Sequence, residues 1–121
     1  MLKTILIVDD SASVRSVVGI ALRGSGYDVI EGCHGQDALD KLTGQKVHLI
    51  ISDVNMPVMD GITFVTEVRK LPAYKFTPIC MLTTEAGQSM MQAGKAAGAK
   101  AWIVKPFQPP KLLDVVSKLI P

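Results

Sequence analysis

Four apolar runs of the chain each end in polar side chains that could take part in chemistry. These side chains are Asp9, Asp10, Asp53, Thr83 and Lys105. Most acids that follow a strand are solvated loop residues, which is the alternative for any one of them taken alone. Four runs that all end this way instead favour a shared site, because the carboxyl ends of parallel strands meet at one edge of a sheet.

Three carboxylates gathered at one edge would repel one another, so the site would need positive charge. Lys105 supplies one charge, and a divalent cation would supply the rest. Mg2+ suits this set because it takes carboxylate oxygens as ligands and keeps waters and a substrate phosphate in its shell. The alternative is a metal-free network of Asp–Lys pairs, which would leave several acids facing one lysine.

A metal ion, a lysine, a hydroxyl and a carboxylate together indicate a site that handles phosphoryl groups. Asp53 could act as the nucleophile and form an acyl phosphate. The metal ion and Lys105 would neutralise the phosphoryl oxygens during transfer, and Thr83 would donate a hydrogen bond to the new phosphoryl group. None of these residues is a strong general base, so hydrolysis should be slow. This suits a switch better than a turnover enzyme.

The elements that must position these groups alternate along the chain. Short apolar runs rich in β-branched residues predict five strands. Their predicted ranges are Ile5–Val8, Tyr27–Ile30, Val47–Ser52, Pro78–Leu82 and Ala99–Val104. Glu31 and Gly32 are predicted to turn away from the second strand.

Apolar residues at helical spacing predict a helix after each strand. The helices are predicted after Ser11 or Ser13, over Gln36–Leu42, from Gly61 to Leu71, over Glu85–Ala97, and from Pro109 onward. The fourth helix contains Gly87 and Gly94, each of which costs about 1 kcal/mol relative to alanine in a helix interior, so it should be the softest. The alternation predicts an α/β fold, a parallel sheet with helices on both faces.

Composition narrows the class of protein. The chain has 121 residues, of which 48% are apolar and 20% are charged, and its formal net charge is +2. This predicts one folded domain with a proper core. The lysines are scattered, so no nucleic-acid footprint is visible. No segment fits a signal peptide or a membrane span.

The cysteines and histidines show no metal-site spacing. Cys33 and Cys80 form no CxxC pair and lie in apolar segments, so both are predicted to be free, buried thiols. Free thiols fit a reducing cytosol, and we expect a cytoplasmic protein. His34 and His48 are predicted to be surface or strand residues rather than metal ligands.

Four motifs occur in the chain in order. They are Asp9-Asp10, Ser52–Gly61, Thr83–Ala86 and Trp102–Phe107. Together they resemble a two-component response-regulator receiver domain, most closely the stand-alone chemotaxis (CheY-like) members, and the resemblance covers essentially the whole chain. It implies a flavodoxin-like, doubly wound fold with five parallel strands in the order 2-1-3-4-5 and five helices, as a single receiver domain over residues 1–121.

The resemblance also implies roles at the acidic site. Asp53 matches the phosphoacceptor, which receives its phosphoryl group from a phosphohistidine on a sensor histidine kinase or from a small phosphodonor. The side chains of Asp10 and Asp53 and the backbone carbonyl of Asn55 match the Mg2+ ligands, with Asp9 acting through water.

Thr83 and Lys105 match the pair that contacts the phosphoryl group, and the Lys105–Pro106 bond is expected to be cis. Trp102 matches the switch aromatic, usually tyrosine or phenylalanine, which turns inward when Thr83 moves toward the phosphoryl group. The alternative is an edge-strand aromatic that simply packs on the fourth helix. The greater bulk of tryptophan should leave its inward state less populated.

Three residues are expected to tune the phosphoryl lifetime. Thr84 stands where family members often have alanine or glycine, so it should narrow access to Asp53. Asn55 and Glu85 should flank the path of the attacking water. The alternative readings are a turn former for Asn55 and a helix N-terminal acid for Glu85, and for Glu85 the two readings carry equal weight.

A partner face is expected across the fourth helix, fifth strand and fifth helix. Its residues are Met90, Met91, Trp102, Val115 and Lys118. Adaptable methionines suit such a surface, although one of the two is expected to fill the core instead.

These inferences predict a phosphorylation-activated switch, and the resemblance implies a role in chemotaxis. It would catalyse its own Mg2+-dependent phosphorylation and slow autodephosphorylation, and then bind a downstream protein such as a flagellar motor switch component or a phosphatase. We expect a monomer that binds no nucleic acid and does not insert into membranes.

Two other functions are compatible with the fold. A receiver-shaped adaptor that ignores phosphorylation would be expected to lack an acid, the threonine or the lysine, and none is missing here. A flavodoxin-like cofactor protein should carry hydroxyls and glycines after its first strand. This chain instead has Asp9 and Asp10 there, which would repel a phosphate.

Overall fold

Five parallel strands form the centre of the structure, a computed structural model that describes residues 2–121. They are β1 Thr4–Val8, β2 Asp28–Gly32, β3 Leu49–Ser52, β4 Ile79–Thr83 and β5 Ala101–Val104. The strands pair in parallel in the order β2-β1-β3-β4-β5. The predicted fold class and strand order are therefore confirmed.

Five α-helices connect or follow the strands. They are α1 Ala12–Gly24, α2 Gly35–Lys41, α3 Gly61–Arg69, α4 Gln88–Ala97 and α5 Pro109–Leu119. Ser11 caps α1 by accepting a hydrogen bond from the Val14 amide at 3.3 Å, and Asp60 caps α3 in the same way through the Thr63 amide at 2.9 Å. Such caps satisfy amides that have no partner within the helix.

The core has two halves because alternate strand residues point to opposite faces of the sheet. Val18 and Leu22 of α1 pack with Leu112 and Val116 of α5 against one face. Helices α2, α3 and α4 cover the other face, where Phe64 is fully buried. Both faces of the sheet are therefore covered, which explains why its strands are almost continuously apolar.

Several element boundaries differ from the sequence prediction. β2 continues through Glu31 and Gly32, because these residues pair with Ile7 and Val8 of β1. α4 begins at Gln88 rather than Glu85, and Gly87 takes its N-cap position without a capping side chain. Residues 84–87 therefore remain in the loop that follows β4.

The prediction of two buried thiols was wrong for Cys33. Cys33 is exposed in the loop after β2, whereas Cys80 is buried in β4. Burial raises the pKa of the Cys80 thiol to about 12, which leaves it protonated at neutral pH.

His34 caps α2 and His48 accepts a hydrogen bond from the Thr4 amide. Within residues 2–121, none of the helices has the length and apolar character needed to cross a membrane.

Gly61 lets α3 start directly beneath the carboxyl end of β3. Its amide donates to the Val54 carbonyl at 2.7 Å, and a Cβ atom at this position would lie 2.8 Å from Val54 Cα and collide with the Asp53 carbonyl. Both neighbours are backbone atoms, so neither can rotate away. The position of Asp53 therefore depends on the absence of a side chain at residue 61.

We expect Gly61→Ala to lower the free energy of unfolding by about 1–3 kcal/mol, the usual cost of overpacking. Chemical denaturation followed by circular dichroism would measure it. Gly24→Ala is the matched control, because nothing lies within 4 Å of a Cβ atom there. If both variants unfolded at the wild-type midpoint, the steric argument would be wrong.

Candidate functional site

The carboxyl ends of four strands meet at one edge of the sheet and bring distant residues together. Asp9 follows β1, Asp53 follows β3, Thr83 ends β4 and Lys105 follows β5. The Lys105 ammonium lies 2.8 Å from Asp9 Oδ2 and 3.2 Å from Asp53 Oδ2. The expected convergence is therefore found. Along the chain, Lys105 is 96 residues from Asp9 and 52 residues from Asp53.

Asp9, Asp10 and Asp53 form a compact acidic cluster. Each offers a carboxylate oxygen, and these oxygens all lie within 4.8 Å of one another. Asp9 is 2% exposed and Asp53 is 7% exposed, whereas Asp10 is solvent-exposed. Two buried acids and one accessible acid make a cluster that small ions can reach from outside.

Backbone amides orient the two buried carboxylates. The Ser11 amide donates to Asp9 Oδ1 at 2.9 Å, and the Val54 amide donates to Asp53 Oδ1 at 2.7 Å. In each acid the second oxygen, Oδ2, faces Lys105. Each carboxylate is therefore held at both oxygens, in the loop directly after its strand.

Burial and ion pairing have opposing effects on the pKa values of Asp9 and Lys105. Burial raises the pKa of Asp9 even though hydrogen bonds from Lys105 and the Ser11 amide favour its charged form. Burial also opposes the charge on Lys105, but its hydrogen bond to Asp9 and the charges of Asp9 and Asp53 outweigh that effect, so the pKa of Lys105 is raised. Lys105 therefore remains an ammonium ion, and it cannot by itself neutralise three carboxylates.

The donor set fits a hard divalent cation. Several carboxylate oxygens within one small radius, one of them accessible to solvent, are what Mg2+ requires of a protein site. The Asn55 carbonyl belongs to the same loop as Asp53, whose Oδ1 also accepts a long hydrogen bond of 3.4 Å from the Asn55 amide. The residues present are consistent with the expected ligands.

Two loops are joined across the mouth of the site. The Asn55 side-chain amide donates to Glu85 Oε1 at 2.9 Å, linking the loop after β3 to the loop after β4. The Glu85 backbone amide donates to the buried Thr83 Oγ1 at 3.3 Å. Thr84 is exposed and lines a shallow groove with Lys105 and Phe107. The three residues expected to tune the phosphoryl lifetime thus lie near the acidic cluster. Two of them, Asn55 and Glu85, are hydrogen-bonded to each other.

Trp102 lies on β5 with its ring packed toward the core. Its Nε1 donates to the Glu85 carbonyl at 2.8 Å, and its six-membered ring lies against Gly94 of α4. The bulk of the indole fits there because residue 94 has no Cβ, and the expected lower population of the inward state stays a prediction. Glu85 therefore contacts Asn55, Thr83 and Trp102 at once.

The expected partner face is only partly assembled as one surface. Met91 and Trp102 line the same groove between α4 and β5, together with Lys95 and Lys100. Met90 packs against the core, so one of the two methionines is indeed a core filler. Lys118 does not line this groove, and its ammonium pairs with Asp114 at 3.0 Å on α5.

Arg15 also contributes to the site, although no motif in the sequence indicated it. Its Nη1 donates to the backbone carbonyl of Asp9 at 2.5 Å, while its Nε lies 3.2 Å from Glu31 Oε1. Arg15 follows Asp9 by six residues on α1, but Glu31 comes from β2. Because Glu31 was predicted to lie in a turn, no sequence signal joined it to Arg15.

The Lys105–Pro106 peptide bond is cis, as the resemblance implied. Taken together, the arrangement could hold a divalent cation on acid oxygens and pair an incoming anion with Lys105 and the Thr83 hydroxyl. An anion held there would meet Asp53, a carboxylate whose orientation is already set.

Comparison with known proteins agrees with this geometry. The family model for the response regulator receiver domain matches residues 5–117. A chemotaxis protein CheY homologue of Campylobacter jejuni is 38% identical over 118 residues, covering 96% of this chain and 91% of the relative.

Solved structures resemble the chain over almost its whole length. Chemotaxis protein CheY4 of Vibrio cholerae has a TM-score of 0.96 and 47% identity, covering 99% of this chain and 100% of that one. The receiver domain of the Pseudomonas aeruginosa sensor histidine kinase PA1611, solved with a magnesium ion in its active-site cleft, has a TM-score of 0.91 and 28% identity, covering 99% and 98%. The chain therefore belongs to the response-regulator receiver domain family.

Proposed function

We propose that this protein is a phosphorylation-activated switch in a two-component phosphorelay. Asp53 accepts a phosphoryl group from a sensor histidine kinase in a Mg2+-dependent reaction, and the phosphorylated form binds a downstream partner. The main support is the contact of one ammonium, Lys105, with both Asp9 and Asp53 at the edge of the sheet. A structural ion pair would need only one acid, whereas this cluster contains three.

The acidic cluster is the proposed magnesium site. The Asp10 and Asp53 side chains and the Asn55 backbone carbonyl would hold the ion directly, and Asp9 would act through water. When bound, the ion supplies positive charge that offsets the three carboxylates and the phosphoryl oxygens. Asp9 and Asp53 are preorganised for this task by the Ser11 and Val54 amides.

Phosphoryl transfer needs positioning and charge neutralisation more than acid–base chemistry. A carboxylate oxygen of Asp53 forms the new O–P bond while the N–P bond of the phosphohistidine breaks, and the leaving imidazole keeps the electron pair and takes a proton from solvent. Lys105, already 3.2 Å from Asp53 Oδ2, pairs with a phosphoryl oxygen. Thr83 Oγ1 accepts from the Glu85 amide, which leaves its hydroxyl hydrogen to donate to the phosphoryl group.

Hydrolysis of the acyl phosphate is proposed to be slow. The Glu85 carboxylate accepts a hydrogen bond from the Asn55 side-chain amide, so one of its oxygens is already occupied. Thr84 adds bulk beside Lys105 at the mouth of the site. These three residues therefore set the lifetime of the signal by controlling how water approaches.

The downstream partner is proposed to bind the α4–β5 groove, whose lining includes Met91, Trp102, Lys95 and Lys100. A groove that combines adaptable apolar side chains with lysines suits an amphipathic segment that carries acids. The chemotaxis relatives support a role in chemotaxis. As the partner we propose a flagellar motor component or a phosphatase. We propose that the protein acts as a monomer in the cytoplasm.

Asp53→Asn should abolish phosphorylation, because the amide is not a nucleophile. Incubation with acetyl phosphate and Mg2+, followed by intact-mass spectrometry, should add one phosphoryl group to the wild-type protein and none to the variant. Asp28→Asn, an exposed acid at the start of β2, is the matched control and should label normally. Full labelling of Asp53→Asn would show that Asp53 is not the phosphoacceptor. Equal partner binding by the wild type and Asp53→Asn would favour a phosphorylation-independent adaptor.

Asp9→Asn should raise the Tm at pH 7 in the absence of Mg2+. Burial raises the Asp9 pKa above its unfolded value, so the folded state binds the proton more tightly and stability falls as pH rises through this titration. An uncharged amide removes that cost at neutral pH. Differential scanning fluorimetry would measure the change, with Asp114→Asn on the exposed face of α5 as control.

Added Mg2+ should then raise the Tm of the wild type more than that of Asp9→Asn, because an ion that binds only the folded state stabilises it. A lower Tm for the variant without Mg2+ would show that pairing with Lys105 outweighs the cost of burying the Asp9 charge.

Thr84→Ala should accelerate loss of the phosphoryl group several-fold by widening the path to Asp53. The measurement is the decay of phosphorylated protein after removal of acetyl phosphate, resolved on phosphate-affinity gels. Thr66→Ala is the control, since Thr66 is exposed on α3 and bonds only the Ile62 carbonyl of its own helix. An unchanged or slower decay would show that Thr84 does not limit access.

A further inference from the structure

Gly94 is a glycine that the backbone of α4 does not require. It lies inside the helix and is buried, and it does not have a positive φ, unlike Gly26, Gly44 and Gly98. Glycine in a helix interior costs about 1 kcal/mol relative to alanine. The explanation must therefore lie in the space around residue 94.

That space is filled by Trp102. A Cβ atom on residue 94 would lie 2.6 Å from Trp102 Cζ3 and 3.3 Å from Cε3, well inside the usual separation of about 3.5–4.0 Å between carbon atoms. Both ring atoms belong to the second ring of the indole. Gly87, at the start of the same helix, has nothing within 4 Å of such an atom. Of these two glycines, only Gly94 is therefore in contact with the Trp102 ring.

The opposite edge of the indole is held by the loop beside the acidic site. Trp102 Nε1 donates to the Glu85 carbonyl, the Glu85 amide donates to Thr83 Oγ1, and the Glu85 carboxylate accepts from Asn55. The ring thus spans from the α4 backbone to a residue that touches both the phosphoryl-contacting threonine and the metal-site loop. None of these ring contacts is made by Asp53.

We propose that Gly94 is the positioning residue that sets the inward state of the Trp102 ring, by leaving room for the second ring of the indole. The pair is matched in size: the largest side chain on β5 faces the smallest residue on α4. A methyl group at residue 94 would displace the ring toward the α4–β5 groove, where Met91 and Lys100 lie. This displacement of the ring would also break the hydrogen bond from Trp102 Nε1 to the Glu85 carbonyl.

The regulatory meaning of this pairing rests on the proposed function. With the ring inward, the groove that we assign to the partner stays open, and the loop that carries Glu85 is held in place. With the ring outward, the indole would fill that groove. Gly94 would then determine how readily the partner face is available, in addition to any effect of phosphorylation.

The test uses the single tryptophan of the chain as its own probe. Acrylamide quenching and the emission maximum of Trp102 would be measured in the wild type, Gly94→Ala and the matched control Gly87→Ala. Gly94→Ala should increase quenching and shift the emission to the red, and Gly87→Ala should do neither. Wild-type quenching in a folded Gly94→Ala protein would overturn the proposal.

A thermodynamic cycle covers the case in which Gly94→Ala folds poorly. Phenylalanine at residue 102 lacks the second ring, so Gly94→Ala should lower the Tm when Trp102 is present and leave it unchanged or higher in a Trp102→Phe background, because helix propensity then acts alone. An equal loss of Tm in both backgrounds would contradict the pairing of Gly94 with Trp102. It would instead indicate a general packing defect in α4, because such a defect does not depend on the side chain at residue 102.

Repeating the quenching measurement in an Asp53→Asn background separates this inference from the proposed function. The ring should respond to Gly94→Ala there as well, because its contacts do not involve Asp53. If Asp53 labels but the ring does not respond, only the inference about Gly94 fails. If the ring responds but Asp53 does not label, only the proposed function fails.

Discussion

The structure depends above all on the balance of charge around the Lys105 ammonium. It contacts two buried acids, Asp9 and Asp53, and burial raises the pKa of Asp9, while Asp10 adds a third carboxylate from the solvent side. One ammonium can hold this cluster together but cannot neutralise it. This surplus negative charge is the physical basis for the proposed divalent-cation site. In the proposed function, binding of the metal and transfer of the phosphoryl group both depend on this one electrostatic imbalance.

Glu85 connects this charged edge of the sheet to the surface formed by α4 and β5. Its amide, carbonyl and carboxylate bond Thr83, Trp102 and Asn55, respectively. A change of contacts at Thr83 can therefore reach the Trp102 ring through one residue. α4 has no capping side chain at its start and contains Gly94 in its interior, and both features lower the cost of structural adjustment in this helix.

Much of the fold was predictable because its pattern is local. Each apolar run that closes in a polar residue predicts a strand buried on both faces, and strand order follows once the motifs at Asp53 and Lys105 are recognised. What could not be predicted depends on pairing between distant segments. Glu31 lies in a strand because β1 pairs with it, and only then can Arg15 bridge Glu31 to the Asp9 carbonyl. Cys33 is exposed for the related reason that β2 ends before it.

The sequence by itself determined which groups the site contains, because residue type and order decide that acids, a hydroxyl and an ammonium follow the strands. It also determined that helices cover both faces, since the strands β1, β3 and β4 are almost continuously apolar. Only the tertiary structure decided that the Asn55 amide reaches Glu85 and that Trp102 fits inward against Gly94. Such contacts join side chains on separate elements at distances of a few ångström. They depend on how helices and loops pack together, which spacing along the chain does not encode.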